Sequence, residues 1–466
     1  MRVTLFGAGG GDVTGSAYLV ESGKSNILID CGMFQGVPNV DQKNRIVERF
    51  TFRKLNAVLV THAHLDHTGR LPILAQRQFA GTVYCTEATA ELAGVILRDA
   101  ARIQESDALR VNRRRQREGK PPIEPLYSPQ DVEQIVGRFE TVAYDKPVPV
   151  APGIEAQWIE AGHLLGSASI RLTAEENGRK RTVVFSGDLG QSGAPLTRYA
   201  HAIDRADAVF LESTYGDRDH RDFRETLAEF TEVVKRAADH GGKILVPTFA
   251  IGRAQLLAVL LAWLFRKHAV KPFPVYLDSP MAIQASAIYL RHPELWHETL
   301  KEIVRQRPLR EELVKAKSKV CSTAQESRAL NDVRGTCMIL AGAGMCNAGR
   351  ILHHLRNNAW KPETSVVFVG YQGRGTVGRA LVEGAKQIRI FGEKIAVRAS
   401  IHSLGGFSAH AGQSDLLKWL SPMLPSRPRV FLTHGENDAR GALAAALDKQ
   451  FRLKAQLPGD RETVEI

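Results

Sequence analysis

Thr61-His62-Ala63-His64-Leu65-Asp66-His67 gathers three histidines and one aspartate within six positions, directly after the apolar run 57–60. Alternate residues of an extended segment point to the same side. We therefore expect His62, His64 and Asp66 to converge on one point, with His67 turned toward a neighbouring point. Imidazole plus carboxylate is the ligand set of zinc, and less often of manganese or iron. The alternative is a polar loop in which these side chains gather by chance.

The composition indicates a folded protein with a basic surface. A chain of 466 residues exceeds what one hydrophobic core usually supports, which predicts two domains. The formal charge of +12 and a sequence pI near 9.5 suit a polyanionic partner such as nucleic acid. Five cysteines without a CxxC pair predict reduced thiols in a cytoplasmic protein. The sequence has neither the apolar core of a signal peptide nor a run long enough to span a membrane.

Short apolar runs that end in polar or glycine residues recur along the chain. Runs of this kind, rich in valine and isoleucine, are typical of buried strands in α/β sheets. Ligands of α/β folds bind beyond the carboxyl ends of the strands, which is where the chemically reactive residues fall here. The runs are 27–29, 58–60, 183–185, 209–211, 244–246, 275–277, 366–369 and 430–432.

Helical patterns lie between several of these runs. The spacing predicts an amphipathic helix over Phe223–Asp239 and a buried helix over Ala254–Phe265. Segments 387–390 and 396–399 read as strands again, which indicates a return to the first domain. The basic stretch Arg98–Lys120 has two readings that the sequence leaves open, a solvated helix face and a contact with nucleic acid.

Further potential ligands stand at other strand tips, each with glycine nearby. A single histidine in a loop is more often structural than a ligand, but glycine lets the backbone approach a site closely. These residues therefore carry more weight as candidate ligands than a lone histidine would. These residues are His163, Asp188, His410 and His434.

The combined motifs resemble a known family. The HxHxDH stretch, the upstream Asp30, the downstream His163 and the Ser-Gly-Asp188 tip resemble the metallo-β-lactamase superfamily. Glu212 in Glu-Ser-Thr-Tyr-Gly-Asp, together with the two histidines of Phe-Ser-Ala-His410 and Thr-His434-Gly-Glu, resembles the β-CASP branch of nucleases. The chain is most similar to compact bacterial and archaeal relatives of the nuclease subunit of the cleavage and polyadenylation specificity factor.

The resemblance implies an α/β protein with a four-layer αββα metallo-β-lactamase domain and an inserted α/β β-CASP domain. The expected boundaries are 1–206 for the first part of the metallo-β-lactamase domain, 207–384 for the insert and 385–466 for the closing part.

The family also implies where two zinc ions lie, with manganese as the alternative metal. One ion takes His62, His64 and His163, and the other takes Asp66, His67 and His434. Asp188 bridges the two ions together with a hydroxide. Asp30 lies outside the ligand set and orients the imidazoles through hydrogen bonds.

The family pattern implies a catalytic pair as well. His410, positioned by Glu212, is the expected proton donor to the leaving oxygen, and Asp66 and Asp30 complete the expected catalytic set. The alternative for Glu212 is a cap of a helix or turn. A histidine at position 434 is typical of RNA-directed members, so the expected substrate is RNA, single-stranded, cleaved internally rather than from the 5′ end.

The glycine-rich segment 370–379 provides candidate phosphate contacts. The side chains expected to contact substrate are Tyr371, Arg374, Thr376 and Arg379, although a tight turn explains such a segment equally well. One residue departs from the family pattern, since Gly412 replaces the usual aspartate and leaves the surroundings of His410 open.

Other assignments remain in competition with an RNA nuclease. They are a small-molecule hydrolase of the same superfamily, such as a thioesterase or lactonase, a DNA-directed nuclease, and a non-catalytic RNA-binding scaffold, which the presence of all the expected ligands disfavours. The resemblance also leaves a homodimer open, and no membrane partner is expected.

Overall fold

A computed structural model describes residues 1–45, 54–176, 178–370, 372–373 and 375–466. The described strands, numbered in chain order, are β1 Arg2–Leu5, β2 Tyr18–Ser22, β3 Ser25–Ile29, β4 Ala57–Leu59, β5 Thr82–Thr86, β6 Phe139–Val142, β7 Val148–Ala151, β8 Ile154–Glu160, β9 Ala168–Glu176, β10 Arg179–Phe185, β11 Ala208–Glu212, β12 Lys243–Pro247, β13 Val275–Asp278, β14 Lys319–Val320, β15 Cys337–Ala341, β16 Ser365–Phe368, β17 Gln387–Ile390, β18 Glu393–Ala396, β19 Ser400–Ser403, β20 Arg429–Thr433 and β21 Thr463–Glu465.

The described helices are α1 Val40–Arg45, α2 Leu65–Thr68, α3 Leu71–Gln76, α4 Glu87–Arg117, α5 Pro129–Val136, α6 Phe223–His240, α7 Arg253–Arg266, α8 Pro280–Arg291, α9 Glu298–Gln306, α10 Arg310–Lys315, α11 Ala324–Ala329, α12 Arg350–Asn358, α13 Val377–Val382, α14 Gln413–Leu420 and α15 Asn437–Phe451. Of these helices, none combines the length and apolar character needed to cross a membrane.

Local sequence explains where the predicted elements begin and end. Each predicted apolar run overlaps a strand, and α6 and α7 lie where the helical spacing places them. Helix α6 begins after Asp222, whose carboxylate accepts hydrogen bonds from the amides of Arg224 and Glu225 at 2.8 and 3.1 Å. It ends at Gly241, which adopts a left-handed conformation with φ +73°.

The strand predicted at 396–399 is displaced. Strand β18 covers Glu393–Ala396 and pairs with β17 in the register Ile390↔Glu393. The two-residue turn contains Gly392 with φ +87°, so the hairpin closes at once and the second strand starts three residues earlier than expected.

The contacts divide the chain into two compact units. The first comprises Met1–Ser192, Tyr199–Asp219 and His410–Ile466, and the second comprises Gly193–Arg198 and His220–Ala409. The main boundaries therefore fall near 220 and 409, whereas the expected insert spans 207–384. Strand β11 stays in the first unit because it pairs with β10 and β20, and β19 belongs to the second because it pairs with β16.

The first unit has two sheets between two helical layers. The sheet orders are β21-β1-β2-β3-β4-β5-β6 and β20-β11-β10-β9-β8-β7. The facing sides of the sheets bury one core, which includes Ile27, Leu59, Trp158, Ile170 and Phe210. The outer sides pack on helices, with Val58 and Val83 against Leu71 and Leu97 on one side, and Val209 and Leu211 against Leu416 and Leu443 on the other. The αββα prediction is confirmed.

Strand β4 shows how the alternation of apolar residues fixes these layers. Ala57 and Leu59 face the core between the sheets, while Val58 faces the helices, and all are fully buried. Burying a valine or leucine contributes about 1.5–3 kcal/mol. A slip of one residue would exchange the two faces, so the register that precedes the histidine cluster is strongly specified.

The second unit contains a parallel sheet in the order β14-β13-β15-β12-β16-β19 and the separate β17-β18 hairpin. Helices alternate with the sheet strands, because parallel neighbours need a crossover connection. The core on one side of the sheet includes Leu245, Ile339, Leu355, Val366 and Phe368.

Candidate metal centre

The histidine cluster spans a loop and the start of a helix. His62 and His64 lie in the loop after β4, and α2 begins at Leu65. The expected convergence of His62, His64 and Asp66 is therefore wrong, because the helix ends the alternation of side chains. Asp66 instead groups with His67 and His434.

The first group of candidate ligands comprises His62, His64, His163 and Asp188, with one ligand atom of each within 4.8 Å of the others. Nδ1 of His64 lies 3.1 Å from Nε2 of His62 and 3.1 Å from Nε2 of His163. Tetrahedral zinc with nitrogen ligands near 2.05 Å separates those nitrogens by about 3.3 Å. The observed spacing therefore suits imidazoles around one cation.

The second group comprises Asp66, His67 and His434. The Nε2 atoms of the two histidines are 3.3 Å apart, and Nε2 of His434 lies 3.6 Å from Oδ2 of Asp66. The seven residues that the family resemblance implies as ligands are thus brought together in the first unit.

Asp188 connects the two groups. Its Oδ2 lies 3.4 Å from Nε2 of His62, and its Oδ1 lies 3.3 Å from Nε2 of His67. Within the described chain, Oδ1 is buried and accepts no hydrogen bond. A buried carboxylate oxygen without a donor is costly unless a cation satisfies it. The donor set and this oxygen together fit divalent metal ions.

Burial and charge set the protonation of the candidate ligands. Burial lowers the pKa of His62 well below its usual value and that of His64 to about 4, so both rings are neutral at pH 7. Burial alone would raise the pKa of Asp188, but the surrounding histidines, led by His434, hold it well below its usual value. Neutral imidazoles and ionised carboxylates are the forms that bind metals.

Asp30 fixes the histidine loop through hydrogen bonds. Its carboxylate accepts hydrogen bonds from the amide of Thr61 at 2.8 Å, from the hydroxyl of Thr61 at 2.8 Å and from Nδ1 of His67 at 2.7 Å. The bond at Nδ1 leaves Nε2 of His67 directed at Asp188 and His434. Burial would lower the pKa of His67, but Asp188 and Asp30 outweigh it and raise this pKa well above its usual value.

Hydroxyl groups that the sequence analysis did not single out also shape the site. Besides Thr61, the hydroxyl of Ser167 accepts hydrogen bonds from the amides of His163 and Leu164 at 3.0 and 3.2 Å. The hydroxyl of Thr214 lies 3.3 Å from Nδ1 of His434. Their position beside the motifs is the one signal that the sequence offers.

Glu212 and His410 form a pair next to Asp188. Oε1 of Glu212 lies 3.3 Å from Nδ1 of His410 and accepts a hydrogen bond from the amide of Leu189 at 2.8 Å. Its Oε2 accepts from the amide of Thr214 at 3.2 Å, which is also the turn-capping contact expected as the alternative. Burial would lower the pKa of His410, but Glu212 and Asp188 outweigh burial and raise the pKa to about 9.

The departure at Gly412 leaves a helix start without a side-chain cap. Gly412 is the residue before α14, and no side chain there binds the first turn. The nearby Asp415 accepts hydrogen bonds from the amide and hydroxyl of Ser192 at 3.2 and 2.6 Å. These contacts hold the chain that follows Asp188 and Leu189.

Of the expected phosphate contacts, Tyr371 and Arg374 lie outside the described residues. Thr376 caps α13 by accepting a hydrogen bond from the amide of Arg379 at 3.1 Å. The guanidinium of Arg379 donates to Glu383 at 2.6 Å. Both residues thus have structural contacts within the second unit, and their contact with substrate stays a prediction.

The αββα layers, with candidate ligands at the carboxyl ends of β4, β8, β10 and β20, define a metal-dependent hydrolase of the metallo-β-lactamase type. Family models agree, matching the metallo-beta-lactamase superfamily over residues 10–247, a Beta-Casp domain over 254–381 and a Zn-dependent metallo-hydrolase RNA specificity domain over 394–458. The chain therefore belongs to the metallo-beta-lactamase superfamily and to its Beta-Casp branch.

Individual relatives cover nearly the whole chain. A protein named ribonuclease TTHA0252 from Thermus thermophilus is 39% identical over 98% of this chain and 97% of its own length. A protein named transcription termination factor FttA from Methanosarcina mazei is 30% identical over 100% of this chain and 72% of its own. A crystal structure of a protein of unknown function from Enterococcus faecalis shares the fold, with a TM-score of 0.53 at 13% identity over 100% of this chain and 99% of that one.

Proposed function

We propose that this protein is a zinc-dependent ribonuclease that hydrolyses phosphodiester bonds of single-stranded RNA, cutting internally in preference to degrading from the 5′ end. The observation that supports this proposal is that Asp188 lies beside two groups of candidate metal-ligand side chains and the Glu212–His410 pair in one largely buried site. Membership of the Beta-Casp branch, an RNA specificity domain and a relative named ribonuclease support RNA as substrate.

The residues divide into two candidate ion sites. His62, His64 and His163 would hold one zinc ion, and Asp66, His67 and His434 the other, with Asp188 serving both sites. Manganese is the alternative for the same ligands. When bound, such ions neutralise charge on a phosphodiester and lower the pKa of bound water, which is the chemistry that the site needs.

Residues outside the candidate ligand set orient the ligands. Asp30 accepts the Nδ1 proton of His67, so Nε2 is the nitrogen that would bind an ion after releasing its own proton. Thr61 ties the same carboxylate to the loop that carries His62 and His64. The loop is therefore held in position before any substrate arrives, which reduces the reorganisation needed during reaction.

The leaving oxygen of RNA needs a proton, and His410 is placed to supply it. Glu212 is fixed by two backbone amides, so its Oε1 provides a rigid acceptor for Nδ1 of His410. With Nδ1 engaged in this way, Nε2 is the atom from which the proton passes to the departing ribose oxygen. General acid catalysis of this kind contributes about 10²–10⁴-fold to the rate.

A labelled-RNA assay tests the proposal directly. We expect cleavage of a uniformly labelled single strand, loss of cleavage with a chelator, and recovery with zinc or manganese. A circular RNA of the same sequence separates the modes of attack, because only an internal cut opens it. The matched control is Asp145→Asn, at an exposed aspartate of the same unit, compared with Asp66→Ala, which should abolish cleavage.

Other substrates define the competing outcomes. Hydrolysis of a thioester or lactone without RNA cleavage would assign the protein to the small-molecule hydrolases. A matched DNA strand cut faster than RNA would assign it to the DNA-directed nucleases. Full cleavage by Asp66→Ala would refute the assignment of this site.

A further inference from the structure

Helix α4 is far longer than its buried part. It runs for 31 residues, and its buried residues lie at or before Ala101, with the single exception of Ala108. Arg98 is held to Glu133 of α5 by two hydrogen bonds at 2.6 and 2.8 Å. Beyond this point the helix extends past the core of the first unit, and we call residues 102–117 the arm.

The chain after α4 folds back along one side of the arm and fixes it. Asn112 exchanges two hydrogen bonds with the backbone of Ile123, at 2.9 and 2.7 Å. The guanidinium of Arg115 donates to the carbonyl of Pro121 at 2.7 Å, and Gln104 accepts from the amide of Leu126 at 3.1 Å. One face of the arm is therefore covered, and its helix does not depend on propensity alone.

The opposite face is basic. At 100° per residue, Arg110, Arg113, Arg114 and Arg117 fall within about 100° of each other around the helix axis, on the side away from Asn112. Residues 110–120 contain six basic side chains and one acidic side chain, a formal charge of +5 out of +12 for the whole chain.

The ion pairs of these four arginines leave positive charge available to bind a partner. Arg110 pairs with Asp107 at 2.9 Å and Arg114 with Glu118 at 2.8 Å, on side chains 78% and 84% exposed. Exposed pairs of this kind contribute little and exchange readily for another anion. Arg113 and Arg117 are exposed and make no ion pair with any residue that the structure describes.

We propose that this basic face of the arm binds the phosphates of single-stranded RNA away from the cleavage site, which rests on the proposed ribonuclease function. Charge complementarity selects a polyanion, and guanidinium groups bind phosphate through paired hydrogen bonds. A protein contact is the competing occupant, because Ile103 and Leu109 on the arm are 54% and 63% exposed. The four arginines on one face, two of them without an ion-pair partner among the described residues, favour the nucleic acid.

The length of α4 sets how long an RNA must be to reach from the metal centre to the arm. Near the start of α4, the hydroxyl of Thr89 donates to the carbonyl of Gly166 at 2.8 Å, three residues from His163. Arg113 lies 24 residues further along the helix, about 36 Å at 1.5 Å per residue. This distance corresponds to about ten stacked nucleotides at 3.4 Å each. An RNA of five nucleotides bound at the metal centre is too short to reach the arm.

The test compares two variants of equal charge. The arm variant replaces Arg110, Arg113, Arg114 and Arg117 by glutamine, a good helix former. The control variant makes the same change at exposed positions elsewhere in the first unit, which are Arg179, Lys180, Lys449 and Lys454. Circular dichroism and thermal melting establish that both variants fold like the wild type.

Binding is measured by fluorescence anisotropy with a hydrolysis-resistant phosphorothioate RNA of 30 nucleotides. We expect the arm variant to bind about tenfold to hundredfold more weakly at 0.15 M salt, and the slope of log K against log salt to fall by about 2–3 units, because each lost phosphate contact on a single strand contributes about 0.7. The control variant should keep most of the wild-type slope. Cleavage of a five-nucleotide RNA should be unchanged in both variants.

Three results would overturn the arm proposal. They are equal weakening in the two variants, no weakening in either, and a changed oligomeric state of the arm variant with unchanged RNA affinity, which would assign the face to a protein contact. Failure of the ribonuclease assignment is a different result, because the wild-type protein would then not cleave RNA. The anisotropy experiment measures RNA binding by the arm and does not depend on cleavage.

Discussion

Asp30→Asn changes one buried oxygen to an amide nitrogen and keeps the shape of the side chain. Asp30 is 1% exposed and has a left-handed backbone with φ +58°, which asparagine tolerates well. The asparagine oxygen can keep the hydrogen bond from the amide of Thr61. Its NH₂ group then faces two former donors, the hydroxyl of Thr61 and Nδ1 of His67.

The size of the effect follows from those contacts. Two hydrogen bonds to a buried charge are lost or inverted, and each contributes about 1.5–3 kcal/mol, so the free energy of unfolding of the metal-free protein should fall by about 3 kcal/mol. His67 can recover one bond only by moving its proton to Nε2, the nitrogen that faces Asp188. Metal affinity should therefore fall about 10–100-fold, the usual result of removing a partner that orients a ligand.

The assay is competition for zinc with a chromophoric chelator, combined with chemical denaturation in excess chelator. Asp145→Asn is the matched control, since Asp145 also has a left-handed backbone, with φ +62°, but a side chain that is 56% exposed. The control should change stability by no more than about 0.5 kcal/mol. Wild-type zinc affinity in Asp30→Asn would refute the argument that this carboxylate orients His67.

Three further predictions concern catalysis, packing and thiol reactivity. Glu212→Gln and His410→Ala should lower kcat on RNA by about 10²–10⁴-fold with unchanged metal content; a fall in bound metal instead would show that the pair serves as ligands. Gly32→Ala should destabilise the first unit by about 3 kcal/mol or more, because a Cβ there would lie 1.5 Å from the carbonyl oxygen of Asp66. The control is Gly405→Ala, where an added Cβ would have no atom within 4 Å. Equal melting temperatures of the two variants would contradict the prediction. Burial raises the pKa of the five buried, unpaired cysteines to between about 11 and about 12. Less than about 1% of each is therefore thiolate at pH 8, and Ellman's reagent should react only after unfolding. Rapid reaction of the native protein with the reagent would contradict this prediction.

Local spacing predicted the residues of the site better than their arrangement, whereas the family resemblance implied the two groups that the structure has. The HxHxDH spacing and the strand-tip motifs identified the candidate ligands because metal-binding side chains are few and their grouping is conspicuous. The alternation rule then placed Asp66 with His62 and His64, and it failed because α2 begins at Leu65 and turns Asp66 toward His434. Whether a helix starts within a motif depends on the packing of the following residues, which a short pattern does not contain.

The supporting residues and the unit boundaries could not be predicted from the sequence, for similar reasons. Thr61 and Ser167 carry hydroxyl groups in loops, where such residues are common and serve many purposes. Strand β11 reads like any buried strand, and only its pairing with β10 and β20 places it in the first unit. Local patterns specify that a strand forms, while the neighbours that it pairs with are decided by the whole fold.

The metal content of the purified protein tests the central claim most directly. Elemental analysis of the wild type and of Asp188→Asn should be run beside RNA cleavage by the same samples. We expect about two transition-metal ions per wild-type chain, with fewer in the variant and a parallel loss of cleavage. A wild-type protein that cleaves RNA without bound metal, or that binds none and gains no activity when zinc or manganese is supplied, would contradict the account.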